Sequence, residues 1–203
     1  MSILNKFTVP LGSDGNSAAN QGLLMPKLAY RFRLSFENFG VSTPTTELTK
    51  QVLSAGRPNV DFESVEQWVY NSRIVMQGRP KWGTLSIKLR DDVTGGVSKL
   101  VGEQMQKQFD FYEQSSAASG IDYKFTTRIE ILDGGNGTST PQILETWELY
   151  GCFLSDVNYG DANYGQNEAM TITMAIRMDN ALQTTGGGVG TSVPRGTGTV
   201  ITG

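Results

Sequence analysis

The 203-residue sequence contains no histidine, and Cys152 is its single cysteine. The missing histidine excludes the Ser-His-Asp and Cys-His nucleophile systems in their usual forms, and every His-ligated metal site. One cysteine excludes an intrachain disulfide and any Cys-cluster site for zinc or iron–sulfur. Cys152 lies inside an apolar strand pattern and reads as a small buried hydrophobe rather than a reactive thiol. A basic surplus is also missing, with 17 Lys and Arg against 20 Asp and Glu, a formal charge of −3. A chain built to grip nucleic acid shows such a surplus or a basic stripe. Here Lys124 to Arg128 is only an alternating basic strand face. No apolar run approaches the roughly 20 residues of a membrane helix. Met1 to Lys6 lacks the layout of a secretory signal, so folding in a cytoplasm is expected. Asn136-Gly137-Thr138 therefore reads as a turn rather than a glycosylation acceptor.

With 38% hydrophobic and 18% charged residues, the chain is globular rather than disordered. Its length suits one domain that buries a sizeable core. The first 26 residues are rich in Gly, Ser and Asn, broken by Pro10 and Pro26, and the end from about Thr184 is Thr, Gly and Val with Pro194. These compositions predict an N-terminal arm over 1–27, a β domain over 28–182 and a low-complexity C-terminal tail over 183–203.

Period-2 alternation dominates between the ends. Tyr30, Phe32, Leu34 and Phe36 alternate with Arg31, Arg33 and Ser35. Leu85, Ile87 and Leu89 alternate with polar neighbours, as do Tyr123, Phe125, Thr127, Ile129 and Ile131. Ile143 to Leu154 is apolar on both parities in places, which fits a central strand covered on both sides. Met170, Met174 and Met178 alone would fit a helix, but Ile172 and Ile176 between them decide for a strand. One segment departs from this pattern. Val97, Leu100, Val101, Met105, Phe109 and Tyr112 fall at helical spacing with polar residues between, Gln104 and Gln108 among them. This predicts an amphipathic helix over about 96–114, entered through Gly95-Gly96. The fold class that follows is mainly β: an antiparallel sandwich or barrel with one flanking helix.

Gly-Arg-Pro occurs twice, at 56–58 and 78–80, bordering strand-like runs at Val60 to Val69 and Arg73 to Gln77. These predict a long projecting hairpin over about 57–80, turning near Tyr70-Asn71-Ser72. Each proline suits a strand boundary. Such a hairpin buries little by itself and calls for a partner. Asn158-Tyr159-Gly160 and Asn163-Tyr164-Gly165 repeat within a turn-rich loop.

Motifs for chemistry are sparse. No phosphate loop is present, and Gly134-Gly135-Asn136-Gly137 is followed by a strand pattern rather than the required helix. Asp156, Asp161 and Glu168 are too dispersed for calcium. Glu145 and Glu148 point to opposite faces of one strand. Glu130 and Glu145 could pair across strands, though nothing places a substrate there. Arg31, Arg33, Lys88, Arg90, Lys124 and Arg128 lie on the solvent parity, away from the aromatics that a single-strand nucleic-acid groove would need.

Taken together, three features resemble a known family: the strand that closes in Asp91-Asp92, the helix that ends in Phe109 to Tyr112, and the run Leu149-Tyr150-Gly151-Cys152-Phe153-Leu154-Ser155-Asp156-Val157. Over residues 28 to 182, with a strand from near Leu28, a short strand at Glu47 to Ala55 and the hairpin, the chain resembles the tail tube protein of contractile-tailed, T-even-like bacteriophages. That family is related in fold to the haemolysin-coregulated tube protein of type VI secretion. The resemblance implies hexameric rings stacked into a tube, inside a contracting sheath, around a channel for genomic DNA. It implies no catalysis, no metal and no cofactor. The implied partners are further copies of the chain, the sheath, the baseplate and tail-terminator proteins; tape-measure protein and DNA would pass through unbound. The implied location is the virion tail, after assembly in the host bacterial cytoplasm.

On this basis Arg57, Pro58, Asn59, Trp68, Tyr70, Asn71, Arg79 and Pro80 are expected at inter-ring or inter-subunit contacts. Asp61, Glu63 and Glu66 are expected at the channel or the ring junction, since a conduit should repel DNA rather than bind it. Three other readings stay open. They are a type VI-like secreted ring protein, a baseplate-proximal tube paralogue, and a carbohydrate-binding sandwich using Trp68, Trp82 and Trp147 as sugar platforms.

Overall fold

The computed structural model describes residues 27–41, 45–133, 141–165, 167–185 and 188–191. The expected N-terminal arm up to residue 26, the Gly134–Gly137 loop with Asn136-Gly137-Thr138, and the tail from residue 192 lie outside the described residues. In chain order the elements are β1 (Phe32–Glu37), α1 (Thr46–Gln51), β2 (Val52–Ala55), β3 (Val60–Val69), β4 (Ser72–Trp82), β5 (Leu85–Arg90), α2 (Gly96–Gln108), β6 (Phe109–Asp110), β7 (Ser115–Ser116), α3 (Gly120–Tyr123), β8 (Phe125–Leu132), β9 (Ile143–Asn158), β10 (Thr171–Arg177) and β11 (Asn180–Thr185). The fold is mainly β, an antiparallel sandwich, as the alternation predicts.

The main sheet runs β1-β8-β9-β10-β5-β2, with β11 also paired to β9. The 16-residue β9 serves both halves of the sandwich. Up to Cys152 it pairs with β8, and over Thr146–Tyr150 also with β11; from Phe153 onward it pairs with β10. The changeover falls at Gly151, which has φ +64°. There β9 advances three residues, Leu149 to Cys152, while β8 advances only two. A Cβ at Gly151 would lie 2.1 Å from Asp179 Oδ2, so this bulge needs both the left-handed backbone and the missing side chain.

Apolar parity sets the core. Leu34 and Phe36 of β1, Leu85, Ile87 and Leu89 of β5, Phe125 and Ile129 of β8, and Ile172, Met174 and Ile176 of β10 are all buried. Val97, Leu100 and Val101 close the core from α2. Phe36, Phe39 and Phe125 form an aromatic cluster with ring centroids 4.9 to 6.2 Å apart. Cys152 is fully buried among these groups.

Four sequence expectations are corrected. The strand expected from near Leu28 begins only at Phe32, because Arg31 N–H turns back to donate to Leu28 C=O at 3.1 Å. The strand expected over Glu47 to Ala55 is helical up to Gln51 and extended only from Val52. Good helix formers, Leu48, Lys50 and Gln51, fill that stretch, and the helix turns Leu48 fully into the core. The helix expected over about 96–114 stops at Gln108. Phe109 is extended, and Asp110 Oδ1 draws the chain into a turn by accepting Tyr112 N–H at 2.9 Å and Glu113 N–H at 3.2 Å. Tyr112 is therefore exposed, not part of an apolar face.

The fourth correction concerns glutamine. Gln104, read as a polar surface residue, is fully buried, accepting Gly40 N–H at 3.1 Å and donating to Tyr123 C=O at 2.6 Å. Gln108 uses both ends of its amide on one residue of β9. It accepts Leu154 N–H at 2.8 Å and donates to Leu154 C=O at 2.9 Å, just beyond the point where β8 stops pairing.

Candidate functional site

Among the described residues, strands β3 and β4 pair only with each other. Their register runs from Val60↔Trp82 at the base to Val69↔Ser72 at the tip. The two-residue turn places Tyr70 at φ +55°, an uncommon backbone region for a bulky residue, and leaves its side chain wholly exposed. Between Phe62 and Ser64 the partner strand advances from Pro80 to Gln77, three residues against two. Gly78 sits in that bulge, where a Cβ would lie 2.8 Å from Glu63 C=O. Pro80, which lacks an N–H, is accommodated beside the same irregularity.

Alternation and register assign the hairpin's two faces. Phe62, Trp68 and Val75 lie on one, and Val65, Val69, Ile74 and Met76 on the other. All seven are exposed, Trp68 by 67%. A ribbon that is apolar on both faces, with both outer edges unpaired, is a surface that needs a partner on each side.

The base of the hairpin is held by four contacts. Gly56 N–H donates to Ser86 C=O and Gly83 N–H to Asn59 C=O, each at 2.9 Å. Trp82 packs half-buried against the core. Arg57 reaches across the molecule to Glu145 of β9. Glu145 is 2% exposed and also accepts from Lys27 Nζ at 2.6 Å and Trp147 Nε1 at 2.5 Å. Burial opposes ionisation of Glu145, but the bonds from Lys27, Trp147 and Arg57 outweigh it and hold the carboxyl down at about 2.

The expected contact residues divide accordingly. Trp68, Tyr70 and Asn71 form the exposed tip, and Arg79 and Pro80 are exposed at the bulge. Arg57, Pro58 and Asn59 belong to the base, with Arg57 turned to Glu145 and Asn59 packed on Gly83. Of the acidic set, Asp61 and Glu63 share one face, while Glu66 lies on the other, 3.2 Å from Arg73. The structure therefore does not gather the three acids into one row. Sequence reasoning missed Phe62, Val65, Ile74, Val75 and Met76 as exposed contact groups. Their signal was an apolar pattern on both parities in a segment with no covering element.

Elsewhere three of the basic strand residues are paired with acids. Arg33 pairs with Glu130 at 2.5 Å, Arg128 with Glu148 at 3.1 Å and Glu37 at 3.4 Å, and Lys124 with Asp179 at 2.5 Å. The cross-strand carboxylate pair considered from sequence does not form. Glu130 sits opposite Thr146 and Glu145 opposite Ile131, which puts the two acids on opposite faces. Of the three tryptophans, Trp82 and Trp147 pack against the core and only Trp68 is exposed. A cleft of about 760 Å³ opens between residues 27–32 and β2, lined by Leu28, Phe32, Val52, Leu53, Ile129 and Ile131. It lies where the terminal strands β1 and β2 of the main sheet each leave one edge unpaired among the described residues. Among the described residues no helix is long and apolar enough to cross a membrane.

No protein-family model and no curated protein matches the sequence. Solved structures match its fold. A chain in the cryo-EM structure of the 6-fold symmetrised anti-feeding prophage baseplate is 14% identical, with a TM-score of 0.56 over 81% of this chain and 99% of that one. A chain of the anti-feeding prophage tube-terminating cap is 12% identical, with a TM-score of 0.58 over 80% and 93%. A chain of the PVC extracellular contractile injection system, in its extended sheath-tube complex, is 12% identical, with a TM-score of 0.56 over 80% and 94%. The chain has the fold of contractile injection system tube and cap proteins. At these identities the shared property of the tube-type fold is the backbone architecture, so the chain's contacts must be argued from its own side chains.

Proposed function

We propose that this chain is a structural subunit of the inner tube of a contractile, phage-tail-like particle, assembling into stacked rings around a channel. The hairpin carries the proposal. In one copy it exposes apolar side chains on both faces, and only neighbouring subunits, within a ring and between rings, would cover both at once. The open edges of β1 and β2 support the same reading, since a closed multi-subunit sheet removes such edges. Stacking is a head-to-tail contact, which propagates rather than closes.

In this proposal six copies form each ring, the sheath surrounds the tube, and tape-measure protein and DNA pass through without specific binding. The particle is a virion tail assembled in the host cytoplasm, and the subunit performs no catalysis. Two of the structural neighbours come from a baseplate and a terminating cap, which favours a second reading as an end-of-tube subunit.

Electron microscopy of the purified chain separates the two. Stacked hollow tubes are expected for a tube-body subunit, and isolated rings for an end subunit. Deletion of residues 61–81, with Val60 and core-packed Trp82 kept and rejoined by a short linker, is expected to leave a folded monomer that no longer stacks. Normal tubes from that variant would overturn the hairpin's role.

A further inference from the structure

We infer that Glu145 is a positioning residue for assembly, a buried anionic clamp that sets the angle at which the hairpin leaves the body. The inference rests on the tube reading above and deepens it.

Among the described residues the hairpin shares no strand pairing with the main sheet, so its orientation rests on the base contacts. Of these, Gly56 on Ser86 and half-buried Trp82 tie it to the β5 side, and Gly83 on Asn59 joins only its own two feet. Contacts along one side leave a hinge. Arg57 supplies a cross-tie, because its partner Glu145 is 88 residues away on β9, in the half of the sandwich that also contains β1 and β8. The same carboxylate holds Lys27, at the start of the segment leading into β1. One buried side chain thus joins the hairpin base, the approach to β1 and the central strand.

The distribution of burial fits a positioning role. Glu145 is sealed at 2% exposure, whereas the side chains of Lys27 and Arg57 are 48% and 60% exposed. A buried ion pair is a poor source of net stability compared with apolar packing, but it is directional. Arg57 donates to the same carboxylate oxygen that Trp147 Nε1 holds at 2.5 Å, so the guanidinium meets an acceptor that is already oriented. Glu130 provides the comparison, being a buried carboxylate of the same sheet whose cation, Arg33, has no part in the hairpin base.

The test is a spin-label distance measurement on the full chain, with labels on cysteines placed at the exposed positions Tyr70 and Val93; buried Cys152 stays unlabelled. It is run in four backgrounds: unchanged, Glu145→Gln, Arg57→Ala and Glu130→Gln. The expected result is a narrow distance distribution in the otherwise unchanged chain and in Glu130→Gln, and a broad one in Glu145→Gln and Arg57→Ala; in unlabelled chains that keep Tyr70, only those two substitutions abolish stacking. Narrow distributions in Arg57→Ala and Glu145→Gln, or equal broadening in Glu130→Gln, would overturn the clamp. Should Glu145→Gln fail to fold, Arg57→Ala decides alone, because that side chain is largely exposed. The distances are read on dispersed subunits. A chain that never forms tubes would therefore count against the tube reading while the clamp is still decided.

Discussion

Replacing Trp68 with alanine tests the hairpin surface directly. In the single subunit Trp68 is 67% exposed, and its ring lies 5.9 Å from the Arg73 guanidinium carbon. Losing that exposed cation–π contact costs the monomer only about 0.5–1 kcal/mol. Assembly is another matter. A tryptophan presents about 200–250 Å² of surface, so covering the exposed two-thirds removes roughly 150 Å² from water. At about 25 cal/mol per Å² this is worth ~4 kcal/mol, of which alanine would retain about a quarter. The remaining ~3 kcal/mol corresponds to about a hundredfold in an association constant. Trp68→Ala is therefore expected to raise the critical concentration for polymer formation by about two orders of magnitude. Sedimentation of polymer across a concentration series reads that quantity, and scanning calorimetry of the dispersed subunit reads the monomer. An unchanged critical concentration would refute burial of this face on assembly. A large fall in monomer melting temperature would refute the claim that Trp68 does its work between subunits.

Three further outcomes are expected. Gly151→Ala forces an alanine into a left-handed backbone and onto Asp179, and should lower unfolding free energy by about 2–4 kcal/mol in urea titration; a loss near zero would mean that the β9 bulge can relax. Glu145 has its folded pKa depressed from 4.5 to about 2, so its contribution is complete above pH 4.5 and fades as pH falls toward 2. After solvent screening of two half-exposed cations this is about 2 kcal/mol, and it should vanish from the acid limb of a stability–pH curve in Glu145→Gln; superimposable limbs would contradict it. Cys152, pushed up to about 11 chiefly by burial, should ignore a disulfide reagent at pH 8 until urea unfolds the chain, and fast native labelling would show that the core opens there.

Much of the fold was legible because one physical signal, alternation against a single core, operates along most of the chain. It located β1, β5, β8 and β10 and their buried parity, and the first Gly-Arg-Pro marked the entry to the hairpin, whereas the second, expected at a strand boundary, lies inside β4 at the bulge. It failed where local chemistry outweighs pattern. Asp110 ends α2 by capturing two backbone N–H groups, an effect that apolar spacing cannot register. Leu48 satisfies a strand or a helix equally in so short a window, and packing chose the helix. Gln104 and Gln108 read as surface residues because composition cannot tell a solvated amide from one that closes two backbone groups. The candidate site was half legible. Trp68 and Tyr70 stood out by type, whereas Glu145 acquires its role only through partners 118 and 88 residues away.

The amide of Gln108 has a consequence for where another strand could add to this molecule. By occupying both polar groups of Leu154, it acts as a tethered one-residue strand on the stretch of β9 that β8 leaves bare. An incoming strand would have to evict a group already bound to its own backbone, at the loss of two hydrogen bonds. That stretch of β9 is closed to strand addition, while the edges of β1, β2 and the hairpin stay open for the neighbours of the proposed tube.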